Sequence, residues 1–187
     1  YLFSFGYFDQ KGTLMNTYLK RYSLRVNTTF NNANKNIRVG ENLYLFYKDN
    51  PQITNLSEGN AVTTSYRAQP IVPGHDIFGG FAGTRAVGVG DAGNPVADQY
   101  RAGFNHGYGL GIQGNVFAET DFLKHFTART QFGGTLGYNY GWGLGPRSYE
   151  SNFSGSTNGF SESTNWDRQW VWTNTLSYGN SFGKHSI

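Results

Sequence analysis

Glu119 and Asp121 are the two side chains of this 187-residue chain whose types and spacing could most directly perform a reaction. They lie two positions apart in an alternating segment, so both carboxylates point to one face of a β-strand. Glycoside hydrolysis uses such a pair of carboxyl groups. The same pair can instead balance Arg129, which follows on the next strand after the tight turn 123–125. The balancing role is favoured, and the sequence predicts no catalytic residue.

The other motifs that carry chemistry are weaker. The chain has no cysteine, and its four histidines are far apart, whereas zinc ligands usually occur in pairs at short spacing. Two Gly-x-Gly-x-x-Gly segments, from Gly88 and from Gly109, lack the helical period that a dinucleotide-binding unit requires. Fifteen scattered Lys and Arg residues contribute to a net charge of +3 without forming a basic patch. The sequence therefore predicts no metal site, no cofactor and no nucleic-acid partner.

Aromatic side chains gather between residues 138 and 172 and allow two interpretations. The rings can stack on sugars, or they can lie at the headgroup level of a membrane as an aromatic girdle. The girdle is favoured for the four rings on predicted strands, which are Tyr138, Tyr140, Trp170 and Trp172. Trp142 and Trp166 fall in a predicted loop, where the sequence favours neither interpretation.

The elements that position these residues are strands. Residues 126–140 alternate between apolar and polar side chains, and this run exceeds the roughly five or six residues of most strands. Comparable segments predict six strands, at 1–8, 19–30, 37–48, 115–123, 126–140 and 168–178. The candidate substrate-contacting residues are polar positions on these strands and two loop tryptophans: Arg21, Arg25, Glu119, Arg129, Gln131, Trp142 and Trp166. The pattern leaves open which face of strands 37–48 and 168–178 is apolar.

The connections between the strands alternate in length. Long segments at 49–111 and 141–167 would lie at one end of the sheet and short turns at the other, as in outer-membrane β-barrels. The mean hydropathy of −0.52 does not oppose this, because half of each barrel strand faces a polar lumen. Bacterial barrels begin at about eight strands, and open sheet edges are not tolerated in hydrocarbon. The sequence therefore predicts an all-β fold in which the chain supplies about six consecutive strands of a larger antiparallel transmembrane β-barrel.

Four segments resemble the barrel of SusC/RagA-type TonB-dependent outer-membrane transporters: GYFDQKGTLMNTYLKRYSLRVN (Gly6–Asn27), IRVGENLYLFYKDN (Ile37–Asn50), GNVFAETDFLKHFTARTQFGG (Gly114–Gly134) and WVWTNTLSYGNSFGKHSI (Trp170–Ile187). Their order and spacing match as well as their wording. The resemblance implies a Gram-negative outer membrane, a barrel of about 22 strands with a plugged lumen, and import driven through TonB. It also implies a SusD-like surface lipoprotein as partner and an oligosaccharide or peptide as substrate. The plug domain and TonB-contacting segment of the family match nothing in this sequence.

A second interpretation, of a different class, is a soluble, secreted all-β module that binds or degrades carbohydrate. Trp142 and Trp166 would then form the sugar platform, and Glu119 and Asp121 would be the catalytic pair. The alternation of long and short connections favours the barrel.

Overall fold

The structure is a computed structural model that describes residues 1–51, 61–84, 87–90, 92–150, 155–183 and 185–186. Parts of the two predicted long loops, at 52–60, 85–86, 91 and 151–154, lie outside the described residues. The elements in chain order are β1 (Leu2–Lys11), β2 (Tyr18–Asn31), β3 (Ile37–Asn50), α1 (Ala61–Arg67), α2 (Pro95–Ala102), β4 (Asn105–Phe122), β5 (Phe126–Gly145), β6 (Gly159–Tyr178), β7 (Ser181–Phe182) and β8 (His185–Ser186).

Strands β1 to β6 form one antiparallel sheet in which each strand pairs with the next along the chain. At one end of the sheet, the turn end, residues 32–36 join β2 to β3 and residues 123–125 join β4 to β5. The connections 12–17, 51–104 and 146–158 all lie at the opposite end, the loop end. Within the described part of the chain the sheet is not closed, because β1 and β6 each pair on one side only.

The register gives the sheet two contrasting faces. One cross-strand row, on the apolar face, joins Phe5, Leu24, Leu45, Ile112 and Leu136. The neighbouring row, on the polar face, joins Ser4, Arg25, Tyr44, Gln113, Thr135 and Gln169. Because side chains alternate along each strand, these two rows assign every strand position to a face. They place Leu45 of β3 and Trp170 of β6 on the apolar face, which the sequence pattern had left open.

Three strands extend by five residues or more beyond the ends that alternation predicts. β4 begins at 105 rather than 115, β5 ends at 145 rather than 140, and β6 begins at 159 rather than 168. The predicted loops 49–111 and 141–167 are therefore too long at these ends. Alternate positions of early β4 are glycine, which hides the period, but the backbone ladder to β3 and β5 continues through them. The side chain of Phe46 lies over Gly111, where a Cβ would clash with its ring.

The predicted loop 49–111 also contains two helices, which are too short to show a helical period. α2 begins where Asn94 accepts hydrogen bonds from the backbone N–H groups of Val96 and Ala97, at 2.9 and 3.2 Å, and Pro95 opens its first turn. A small buried core forms here from Ala82, Ala92 and Ala97. Neither helix among the described residues has the length and apolar character needed to cross a bilayer.

Candidate functional site on the polar face

A network of charged side chains lies on the polar face near the turn end. Arg38 of β3 pairs directly with Glu119 of β4 in the register, and its Nε lies 2.6 Å from Glu119 Oε1. The other two guanidinium nitrogens of Arg38 donate to the carboxylate of Asp121, at 2.7 and 2.8 Å. This fork binds Asp121 through two parallel hydrogen bonds, a geometry that orients both partners.

Arg129 of β5 extends the network to a third strand. Its guanidinium lies 3.3 Å from Glu119 Oε2 and donates to Gln131 Oε1 at 2.9 Å. It also lies over the ring of Phe117, 4.3 Å from the centroid, as a cation–π contact. The pairing of Glu119 with Arg129, expected from the tight turn, is confirmed. Arg38 was missed, because it meets Glu119 and Asp121 only through pairing across the long connection between β3 and β4. Phe117 was also missed, although alternation along β4 places it on the face of Glu119.

The network does not have the form of a hydrolytic acid–base pair. Asp121 accepts from Arg38 and also from Thr127 Oγ1, at 2.7 Å, so both of its oxygens are engaged. Two guanidinium groups balance the two carboxylates, and every member has a partner. Across the part of the chain that the structure describes, no three His, Asp or Glu side chains are grouped to hold a metal ion. The geometry is that of a structural ion-pair network that rigidifies one end of the sheet.

A polar pocket of about 350 Å³ lies beside this network, towards the loop end. Three adjacent strands contribute four carboxamides, a hydroxyl and one apolar side chain: Gln113, Asn115, Gln131, Gln169, Thr135 and Val171. Gly133 also lines the pocket, and a Cβ there would approach Asn115 Cβ to 2.8 Å. The carboxamides of Gln113 and Gln169 make no hydrogen bond to any described residue. Since each carboxamide both donates and accepts, the pocket suits an uncharged ligand rich in hydrogen-bonding groups.

The two candidate arginines of β2 lie on the polar face but outside the network. The Arg25 guanidinium lies over the ring of Tyr44 at 5.4 Å, and Arg21 lies over Phe8 at 5.8 Å. Tyr44 also contacts Phe46, with ring centroids 5.8 Å apart. Of the predicted site residues, the structure thus groups Glu119, Arg129 and Gln131 and leaves the β2 arginines apart from them.

Trp142 and Trp166 lie on strands and on the apolar face, and their predicted place in a loop is wrong. Trp142 is on β5 and stacks on His106 with centroids 4.5 Å apart. Trp166 is on β6, as the cross-strand partner of Tyr138. The polar loop-end segments of β5 and β6 keep pairing as far as Gly145 and Gly159, because ladder hydrogen bonds do not require an apolar face. Neither ring can share a site with the carboxylates, which point to the other face.

The apolar face carries an unbroken belt of tyrosines across five strands. Neighbouring rings have centroids between 5.0 and 6.4 Å apart. The members, from β1 to β5, are Tyr7, Tyr22, Tyr47, Tyr108 and Tyr140. A second group of rings lies at the turn end, where Phe126 contacts Phe122 and Tyr178.

At the loop end, the three connections pack against one another. The side-chain amide of Asn16, in the first connection, donates to the backbone carbonyl of Gln99 in α2 at 3.2 Å. Arg101 of α2 forms an ion pair with Glu150 of the third connection, and Glu150 is only 4% exposed. Gly83 lies so close to the backbone of Glu150 that a Cβ would overlap it. The loop end is therefore a packed unit.

Two carboxyl groups in this unit have shifted pKa values. Burial raises the pKa of Asp98, and the charge of Arg101 and a hydrogen bond with Thr64 oppose it only in part. Burial also acts to raise the pKa of Glu150, but the hydrogen bonds from Arg101 and from backbone N–H groups outweigh it. The pKa of Glu150 therefore lies below its usual range.

The fold is similar to part of known peptide-importer structures. No protein-family model and no curated protein matches the sequence. Chains of the RagAB peptide importer match over 96% of this chain in the closed-closed state, with a TM-score of 0.68 and 22% identity, and over 97% in the open-open state, with 0.69 and 22%. A further RagAB peptide transporter structure matches with 0.67 and 24%. The chain spans about a fifth of those chains, 20 to 21% of their length. The resemblance predicted from the sequence is thus confirmed at the level of the fold.

Proposed function

We propose that the chain is six consecutive strands of the β-barrel of a SusC/RagA-type TonB-dependent transporter in a Gram-negative outer membrane. The observation that carries this proposal is the two-faced meander, with all long connections at one end, which overlays RagAB chains along almost its full length. The unpaired edges of β1 and β6 would pair with further strands of a barrel of about 22 strands.

In this proposal the apolar face contacts lipid. The tyrosine belt and the turn-end rings would be the two interfacial girdles. Fourteen positions separate Tyr108 from Phe122 on β4, and fourteen separate Phe126 from Tyr140 on β5. At a rise of about 3.3 Å and a tilt of about 40°, this span covers roughly 35 Å along the membrane normal, enough to cross the apolar band of about 25 Å in known barrels. The loop end would be extracellular and the turn end periplasmic.

The polar face would line the lumen and meet the cargo. Its candidate contacts are Arg21, Arg25 and the polar pocket around Gln113 and Gln169. Glu119, Arg129 and Gln131 would set the charge and shape of the wall nearer the periplasm. Carboxamides fit peptide bonds and sugar hydroxyls alike, and a peptide or an oligosaccharide is proposed as substrate. The RagAB structures are of a peptide importer, which favours the peptide.

The partners follow from the same assignment. A SusD-like lipoprotein would meet the packed loop end, and TonB would act through parts of the longer protein. The chain would be part of a conduit and not an enzyme. The alternative, a soluble carbohydrate module, required Trp142, Trp166, Glu119 and Asp121 to share one site, and the opposite faces of these residues argue against it.

Membrane fractionation of the full-length protein tests the proposal. We expect it to sediment with the outer membrane and to migrate faster on gels before boiling than after, as closed barrels do. A protein that stays monodisperse in buffer without detergent would refute the assignment. Deletion of the partner lipoprotein and of TonB should then each reduce uptake of a peptide substrate.

A further inference from the structure

A groove of about 440 Å³ crosses the apolar face from β3 to β6. Its floor is formed by Gly114 of β4 and Gly134 of β5, which are direct cross-strand partners. Apolar side chains from all four strands form the walls: Leu43, Ile112, Val116, Phe132, Leu136 and Trp170. Phe132 and Trp170 stack with centroids 6.1 Å apart and make one wall continuous.

The groove is built into the backbone. A Cβ on Gly114 would lie 2.5 Å from the carbonyl oxygen of Asn42, and a Cβ on Gly134 would overlap the carbonyl oxygen of Gln169. Neighbouring strands therefore approach too closely at these two positions for any side chain to be accommodated. The groove therefore remains whichever rotamers the side chains of its walls adopt.

A basic side chain lines this largely apolar groove. Arg168 ends the row that contains Leu24, Leu45, Ile112 and Leu136, and it faces the same side. Its guanidinium lies 5.6 Å from the ring centroid of Trp166, which is two positions closer to the loop end. Arg168 has no ion pair with any described residue. A cation on a lipid-facing surface is costly, and a long side chain that bends towards the headgroups reduces that cost.

An acidic side chain lines the opposite end of the groove. Glu41 of β3 accepts a hydrogen bond from Thr28 Oγ1 and lies nearer the turn end than Leu43 does. An anion is therefore favoured beside Arg168 and disfavoured beside Glu41. This polarity orients an amphiphile with its anionic group towards the loop end and its chain along the glycine floor.

We propose that the groove binds one acyl chain of an anionic membrane lipid whose phosphate is held by Arg168. The inference rests on the proposed function, since it requires the apolar face to contact the membrane. A guanidinium suits phosphate because its planar donors match the phosphate oxygens. The smooth apolar walls and the absence of side chains on the floor suit an unbranched chain lying across β4 and β5.

Native mass spectrometry of the full-length protein in mild detergent tests this. The probes are phosphatidylglycerol, phosphatidylcholine with the same acyl chains, and glycerol phosphate without chains. Three variants are compared with the wild type: Arg168→Gln removes the cation, Leu136→Trp fills the groove, and Leu24→Trp is the matched control. Leu24 lies in the same cross-strand row as Leu136 but outside the groove.

We expect the wild type to retain phosphatidylglycerol about fivefold more than phosphatidylcholine, the effect of one basic residue near a headgroup. Arg168→Gln should abolish the preference, Leu136→Trp should reduce retention of both lipids, and Leu24→Trp should change neither. Four outcomes would each overturn the lipid site. Two concern the variants: equal loss of lipid retention in the two tryptophan variants, and an unchanged preference for phosphatidylglycerol in Arg168→Gln. The others are binding of glycerol phosphate equal to that of phosphatidylglycerol, and a dimer that only Leu136→Trp dissociates. A protein that fractionates with the outer membrane but shows no preference counts against this inference alone, whereas a soluble one refutes the proposed function.

Discussion

Arg38 on β3 and Asp121 on β4 are joined by two hydrogen bonds of 2.7 and 2.8 Å, although 83 positions separate them in the sequence. Arg38 also donates to the backbone carbonyl of Lys35, at 3.3 Å, and the backbone N–H of Asp121 donates to the carbonyl of Asn36, at 2.8 Å. These contacts fasten the turn between β2 and β3 to the hairpin of β4 and β5. The pair therefore links two hairpins that the long connection 51–104 separates.

Replacing Arg38 with Gln should weaken this link. Glu119 and Asp121 would then lie side by side on one face of β4 with only Arg129 to balance their charges, and like charges on one face repel. We expect the folded, fast-migrating form of the full-length protein to convert at a temperature a few degrees lower than in the wild type. Arg21→Gln is the control, because Arg21 lies on the same face but forms no ion pair with any described residue. Equal shifts in both variants would contradict the linking role.

A methyl group at Gly134 should disturb the sheet. A Cβ there would overlap the backbone of β6 at Gln169, and backbone cannot move aside as a flexible side chain can. Overpacking of this kind costs about 1–3 kcal/mol. Gly134→Ala should lower the yield of folded protein in the outer membrane, measured by the heat-modifiable band. Gly145→Ala, where the nearest atom to a Cβ is 3.9 Å away, should not.

Removing the side chain of Asn94 should loosen the loop end. It caps α2, and its amide nitrogen also donates to the carbonyls of Gly74 and Ala82, at 2.8 and 2.9 Å. Loss of a cap costs about 1 kcal/mol, and the buried carbonyl of Ala82, left without this donor, adds to the cost. Asn94→Ala should increase proteolysis within 61–104, and Asn94→Asp, which keeps the cap and loses the donor, should have an intermediate effect. Equal protection in both variants would show that the lost donor alone matters, whereas wild-type protection in Asn94→Asp would show that the cap alone matters.

Acid should open the contact between α2 and the third connection. The pKa of Glu150 lies below its ordinary value, so its stabilising charge is present above that value and is lost as the pH falls through the folded pKa. The pKa of Asp98 is raised, so its contribution has the opposite sign and is lost as the pH rises through the folded pKa. In the wild type we expect amide exchange in α2, corrected for intrinsic rates, to become faster as the pH is lowered from about 6 to 3. Glu150→Gln should not show this rise. Asp98→Asn should retain that rise.

Substitutions in the polar pocket should impair uptake more than folding. Replacing both Gln113 and Gln169 with Ala removes two carboxamides that make no hydrogen bond to any described residue. We expect KM for peptide uptake to increase by about tenfold, the effect of one or two hydrogen bonds, with an unchanged heat-modifiable band. Asn27→Ala, on the same face outside the pocket, should leave KM unchanged. If the double variant imports normally, the pocket does not contact cargo.

The fold could be predicted further than the site. Alternation of apolar and polar side chains is a local property, so it located six strands, and connection lengths placed their long loops at one end. It failed where local chemistry is uninformative. Glycine at Gly107, Gly109 and Gly111 hid ten residues of β4, and the polar start of β6 concealed that Trp166 lies in a strand. The pairing of Glu119 with Arg129 was predictable because only a three-residue turn separates their strands.

The sequence by itself determined the six strands of the main sheet, the two-faced character of the chain and the resemblance to a transporter barrel, since each depends on short-range spacing. Only the tertiary structure decided which residues meet across long connections. Pairing of β3 with β4 brought Arg38 to Asp121, and pairing of β5 with β6 put Trp166 and Arg168 on the same apolar face as Trp142. A shift of one residue in either register would exchange the faces, and the positions of these side chains therefore follow from long-range pairing.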